Sequence, residues 1–154
     1  MSIYSSSKIL LTNSKNLLIW LRDDDFSIND ANKWDLPGRD IQSNMTPEKS
    51  IEVDLKERFN IVLEHEPKLL GKISSHSNIE HFLFIYSAKD CEIQNLQMNK
   101  WGQKSKFHNI RELGEIDLTP PIKAYFSMYG EYLTKCLISN IEFKKIDKIK
   151  LGLK

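Results

Sequence analysis

The order of punctuated segments in this chain predicts an α/β domain. Short apolar runs recur in pairs, with polar turns between them. One helix with complete start and stop signals stands between two such pairs, and a longer amphipathic segment follows the last of them. At 154 residues the chain suits a single domain with its own core. Residues 1–140 read as that domain and 141–154 as a tail.

Ser7 to Thr12 and Leu17 to Arg22 are apolar runs separated by Asn13-Ser14-Lys15-Asn16, a spacing that predicts a β-hairpin. Trp20 lies inside the second run and reads as core. Asp23-Asp24-Asp25 reads as a solvated loop, because successive strand side chains alternate faces and three acids cannot converge. Thr46 is a good N-cap and Pro47 suits the first helical position, while Asn60 can end the helix in the left-handed conformation. Within that helix Ile51, Leu55 and Phe59 form an apolar stripe, and Asp54 and Glu57 lie together on another face. Two carboxylates so placed suit a hard divalent cation.

Lys68 to Ser75 and His81 to Ala88 read as a second strand pair turning at Ser77-Asn78, its second strand buried on both faces. Residues 89–100 are a polar connection, Lys104 to Asn109 a late strand, and Ile110 to Leu113 one helical turn. Thr119-Pro120-Pro121 opens the last helix, whose stripe runs through Ile122, Tyr125, Phe126, Tyr129, Tyr132, Leu133 and Leu137. In the tail, alternation from Lys148 to Lys154 favours an extra strand or an arm that docks on a partner, a second copy of the chain included.

The composition, 40% hydrophobic and 28% charged, is that of an ordinary globule. A formal net charge of +1 gives no global pull towards nucleic acid or anionic membrane. Cys91 and Cys136 are too few for a disulfide framework and read as reduced thiols. His65, His76, His81 and His108 show no zinc spacing. Met1 to Lys8 lacks a signal-peptide pattern, and the longest apolar run, Leu17 to Leu21, is far short of a membrane span. A cytoplasmic protein without membrane association is expected.

Trp34 to Ile61 resembles the Nudix box of the Nudix hydrolases, G-x5-E-x7-R-E-U-x-E-E-x-G-U with U aliphatic. Trp34-Asp35-Leu36-Pro37-Gly38 is similar to the family's W-x-L-P-G-G, with Arg39 at the box glycine. Met45 stands at the first Glu, Val53 at the Arg, Asp54 at the following Glu, Glu57 at the first of the Glu pair and Arg58 at the second. Asn60 and Ile61 end the box without any insertion. A shorter resemblance, to a subgroup with Glu-Gly-Gln before a late strand, sets Trp101-Gly102-Gln103 there, so Trp101 replaces an acid.

The resemblance implies a Nudix α/β/α sandwich with a mixed central sheet. It also implies a ligand class, nucleoside diphosphates linked to another group. Asp54 and Glu57 would be the catalytic and metal-binding acids, with magnesium or manganese polarising the diphosphate and helping activate water. Two box acids are replaced, at Met45 and Arg58, and Trp101 replaces the subgroup's acid, so metal affinity should be weak or depend on substrate phosphates. Arg39 and Arg58 become candidate phosphate contacts, although Arg58 can equally pair with Glu57 or Asp54. Trp101 would stack on a base or pack against the protein. The readings that remain open are a degraded metal-dependent pyrophosphohydrolase, a non-catalytic nucleotide-binding domain, and a protein-interaction module.

Overall fold

The computed structural model describes residues 4–74 and 79–153. The turn expected at Ser77-Asn78, and His76 with it, lie outside the described residues. The first hairpin forms as β1 (Tyr4–Asn13) and β2 (Asn16–Leu21). Its strands pair only beside their turn, with Thr12 opposite Leu17 and Asn13 opposite Asn16. Beyond that point the lead-in segment separates them. β3 (Trp34–Asp35) pairs with the end of β2, and β4 (Gly38–Asp40) pairs with the start of β1. Ile9 N–H donates to the Pro37 carbonyl, and the Trp20 indole N–H donates to the Leu36 carbonyl. The segment before the central helix is therefore held between two strands.

β5 (Lys68–Ser74) and β6 (Ile79–Ser87) are antiparallel, and β6 runs parallel to β1 from Tyr4–Ile79 to Thr12–Ser87. β7 (Lys104–Asn109) lies antiparallel to β2 and completes a seven-stranded mixed sheet. Alternation along the strands splits the core in two. Ile9, Leu11, Leu18, Trp20 and Phe84 pack with Ile51, Leu55 and Phe59 of α1 (Pro47–Phe59). Leu10, Leu17, Ile19 and Leu83 pack with Ile122, Tyr125 and Leu133 of α3 (Pro120–Ile138). This is the expected α/β/α sandwich around a mixed sheet.

α1 starts and stops for local reasons. Lys49 N–H donates to Thr46 Oγ1, and Asn60 takes φ 56 at the C-terminus, its N–H reaching back to the last turn. α3 keeps its Pro-Pro start without a side-chain bond from Thr119, and it runs unbroken through Gly130. Its entry is fixed instead by backbone: Trp34 N–H donates to the Asp117 carbonyl and Thr119 N–H to the Trp34 carbonyl. The polar connection contains one short helix, α2 (Asp90–Ile93), and the turn after β7 is a 3-10 helix, Ile110–Glu115.

The tail departs from the expectation. In place of an extra strand or a free arm, it makes two 3-10 turns, Phe143–Lys145 and Ile149–Leu151. Ile146, Leu151 and Leu153 are buried in the α3-side core, which leaves few apolar side chains for docking on a second copy. Gly152, at φ 65, turns the chain where a side chain would run into the Tyr129 ring. No helix among the described residues is long and apolar enough to cross a membrane.

Gly38 is the position the fold tolerates least. At φ 146 an added Cβ would meet the Ser7 carbonyl oxygen at 1.9 Å. Gly38→Ala should therefore cost roughly 3 kcal/mol in urea denaturation, since backbone on both strands would have to move. A loss below about 1 kcal/mol would mean that β4 is not pinned against β1 as described.

Candidate functional site

Asp54 and Arg58 sit one turn apart on the sheet-facing side of α1, so their side chains meet by helix geometry alone. Arg58 Nη2 lies 2.7 Å from Asp54 Oδ1, and the two side chains are 3% and 0% exposed. Asp54 Oδ2 accepts the Gly38 N–H at 2.8 Å, and Arg39 Nε donates to Oδ1 at 3.1 Å. Arg58 Nη2 also donates to the Gly38 carbonyl at 3.3 Å. The other end of Arg39 is a fork: Nη1 and Nη2 both reach Glu57 Oε2 at 3.2 Å. Lys100 adds a second cation to Glu57 at 3.5 Å. Two carboxylates are thus gripped by two guanidinium groups, with an ammonium at the rim.

Aromatic faces complete the packing. The Arg58 guanidinium is 4.1 Å from the Trp20 ring centroid and 5.1 Å from that of Trp101, and Arg39 is 5.4 Å from Trp101. Such stacking favours Arg specifically, because its charge is planar and weakly hydrated. Gly102 lets Trp101 approach: its φ is 100, and an added Cβ would touch Trp20 and Met98. Arg58 keeps two buried nitrogens, Nε and Nη1, with no hydrogen-bond partner among the described residues.

The electrostatics follow from depth. Burial pushes the Asp54 carboxyl above the ordinary carboxylate range, with Arg58 and then Arg39 pulling the other way. Burial likewise lowers Arg58, with Asp54 as the main opposing influence. Both directions express the same desolvation cost, which the pair offsets through its hydrogen bonds. Glu57 differs: its hydrogen bond from Arg39 holds it below the usual range. It lies at the edge of the site, 39% exposed.

Above this network opens a cleft of about 630 Å³, lined by Arg39, Arg58, Trp20 and Trp101 and also by Lys8, Arg22, Asp23, Ser6, Asp40 and His81. The sequence-expected residues therefore divide. Arg39, Arg58 and Trp101 come together on the wall, and Glu57 stands at the rim. Asp54, expected as a metal-binding acid, lies beneath the cleft floor and is shielded by Gly38, Arg39 and Arg58. Arg58 pairs with Asp54 and not with Glu57. Trp20 belongs both to the core and to the site. Strand alternation in β1 could have put Ser6 and Lys8 on one face, but nothing local signals His81 or Lys100.

The donor set does not fit a resident magnesium or manganese ion. Such ions want about six oxygen ligands. Here Asp54 is occupied by three N–H donors and Glu57 by Arg39. Arg58, next to Glu57 in the chain, brings a guanidinium and no oxygen ligand. Among the described residues, no group of three or more His, Cys, Asp or Glu converges on a common point.

Removing one partner of the buried pair should be expensive. Arg58→Met leaves Asp54 under-compensated and should cost about 3–5 kcal/mol in urea denaturation. Adding Asp54→Leu to it should recover a large part of that loss. A single-variant cost below about 1 kcal/mol would show that the pair is not desolvated.

Neither a protein-family model nor a curated protein matches the sequence. Solved structures do match in shape. The chain is similar to a MutT protein from Methanosarcina mazei, with 17% identity over 90% of this chain and 96% of that one, and a TM-score of 0.68. It is similar to an ADP-ribose pyrophosphatase from Streptococcus suis at 14% identity, over 92% and 94% of the two chains, with a TM-score of 0.66. A MutT/nudix family protein from Enterococcus faecalis matches over 99% of this chain and 80% of its own, at 12% identity and a TM-score of 0.67. Coverage of 80–96% of those chains at TM-scores of 0.66 to 0.68 leaves one conclusion about architecture: this chain has the fold of the MutT/Nudix hydrolases.

Proposed function

We propose that this chain binds a phosphorylated ligand, a nucleoside diphosphate derivative, with guanidinium groups in the place that metal holds in a catalytic box. The observation that supports this most is the network in which Arg39 bridges Asp54 and Glu57 while Arg58 takes the remaining side of Asp54. Carboxylates held this way position arginines. Arginines so positioned suit phosphate, which they bind through two parallel N–H donors.

The cleft supplies what such a ligand needs. Four cationic side chains line it, Lys8, Arg22, Arg39 and Arg58, against the carboxylates Asp23 and Asp40. Lys8 is itself held by Asp35 at 2.8 Å, so its charge is partly answered from behind. The two buried, unpartnered nitrogens of Arg58 would offer hydrogen bonds to phosphate oxygens once an entering ligand uncovers them. Trp101, 40% exposed and already against both guanidinium groups, offers a face for a planar ring. Any divalent cation would arrive with the ligand's own phosphates.

A second reading keeps one observation on its side. Glu57 is partly exposed beside the cleft, as a hydrolytic site would need it to be. Turnover of a nucleoside diphosphate derivative with magnesium, abolished in Glu57→Gln, would decide for hydrolysis.

The proposal predicts that ADP-ribose and simple nucleoside diphosphates bind equally well with magnesium and with a chelator present. Calorimetry on the whole chain measures this. A requirement for metal would contradict it. Trp101→Ala should lower nucleotide affinity by about tenfold or more, the usual worth of stacking on one base, and should leave inorganic pyrophosphate unaffected. Equal losses for nucleotide and pyrophosphate would show that Trp101 acts by holding the arginines and not by stacking.

A further inference from the structure

The polar wall of the same cleft holds a second buried group without a partner. Strand register sets His81 of β6 beside Ser6 of β1, and Ser6 beside Asp40 of β4, in one row across the sheet. Residues in register on neighbouring strands share a face, and all three of these line the cleft. Ser6 Oγ lies 2.5 Å from His81 Nδ1. The opposite ring nitrogen, Nε2, is buried and has no hydrogen-bond partner among the described residues, in a side chain belonging to a residue only 8% exposed. Buried ring nitrogens are normally hydrogen-bonded, so an unpaired one in a residue that lines a cleft asks for a ligand atom.

Proton counting selects the tautomer. If Nδ1 carried the hydrogen, both the Ser6 hydroxyl hydrogen and the Nε2 lone pair would be left without partners. If the Ser6 hydroxyl donates to Nδ1, only the Nε2 hydrogen is left over. Burial, and after it the neighbouring Lys8 ammonium, hold the imidazole below its ordinary range, with Asp35 and Asp40 opposing, so the ring is neutral at pH 7.

The geometry points to His81, oriented by Ser6, as the residue that reads the ligand's ring: its Nε2–H donates to a carbonyl oxygen on the edge of a nucleobase. This inference rests on the nucleotide-binding reading above. The row of His81 is two residues along β1 from the row of Gly38, and β6 is two strands across from β4. From standard strand spacings, the backbones of Gly38, against which Arg58 closes, and of His81 are then separated by roughly 12 Å. A nucleoside diphosphate spans a comparable length between its phosphates and the outer edge of its base. Guanine and uracil place a carbonyl on that edge where adenine and cytosine place an amino group. An amino group set against an N–H donor would leave both unpaired in a buried place, which is how polar sites discriminate.

The test is calorimetry of GDP, UDP, ADP, CDP and inorganic pyrophosphate against the whole chain in chelator. GDP and UDP should bind about tenfold more tightly than ADP and CDP. His81→Phe should abolish that preference and leave pyrophosphate affinity unchanged, and His81→Gln, which keeps an N–H donor, should restore part of it. Ser6→Ala, a smaller change at a strand position, should weaken the preference by freeing the tautomer, and it serves if His81→Phe does not fold. Nucleotide binding without a preference, or a preference that survives these variants, overturns the role of His81 and leaves the functional reading standing. Failure of pyrophosphate and of all four nucleotides to bind overturns the functional reading, and this inference with it.

Discussion

The structure depends on one buried ion pair, Asp54 with Arg58, closed against the backbone of Gly38. Asp54 accepts the Gly38 N–H and Arg58 donates to the Gly38 carbonyl, so a single peptide segment is gripped from both of its polar sides. That segment is the lead-in that separates β1 from β2. The pair therefore ties the last turns of the central helix to the middle of the sheet. Burying two charges is costly, and such a pair adds less to stability than to uniqueness of arrangement when every remaining donor and acceptor is met. Here Asp54 is fully met, whereas Arg58 keeps two nitrogens unspent. The imbalance lies on the cationic side and at the floor of a cleft.

The same pair shows how opposite charges can be brought together on this fold without a metal ion. A carboxylate cluster around a divalent ion and a carboxylate–guanidinium network both bring opposite charges into contact in a partly dry place. Arg39 and Arg58 put cationic groups against Asp54 and Glu57 from within the chain. The indoles of Trp20 and Trp101 flank the Arg58 cation with faces it prefers.

Much of the architecture was legible because its signals are local. Thr46, Pro47 and Asn60 mark the ends of α1 by backbone chemistry that needs no tertiary context, and the strands around Leu10, Leu18 and Phe84 are buried on both faces and so read as apolar runs. The tail was misread for the converse reason. Alternation over Lys148 to Lys154 is compatible with a strand, but Gly152 turns at the Tyr129 ring, and that contact is set by a helix far back in the chain. In the site, helical spacing brought Asp54, Glu57 and Arg58 together, yet it could not tell depth. Whether Asp54 faces a cleft or lies beneath one depends on where the Gly38 loop sits. His81 and Ser6 were invisible as a pair, since a parallel strand pairing joins residues 75 positions apart.

The central claim is that the carboxylates of this site belong to arginines. Titration of the free chain with manganese, followed by electron paramagnetic resonance, tests it most directly. With Arg39 and Arg58 in place, the free ion signal should fall only through weak, unsaturable association, and Glu57→Gln should leave the titration unchanged. A single saturable manganese site on the free chain, lost in Glu57→Gln, would contradict the account.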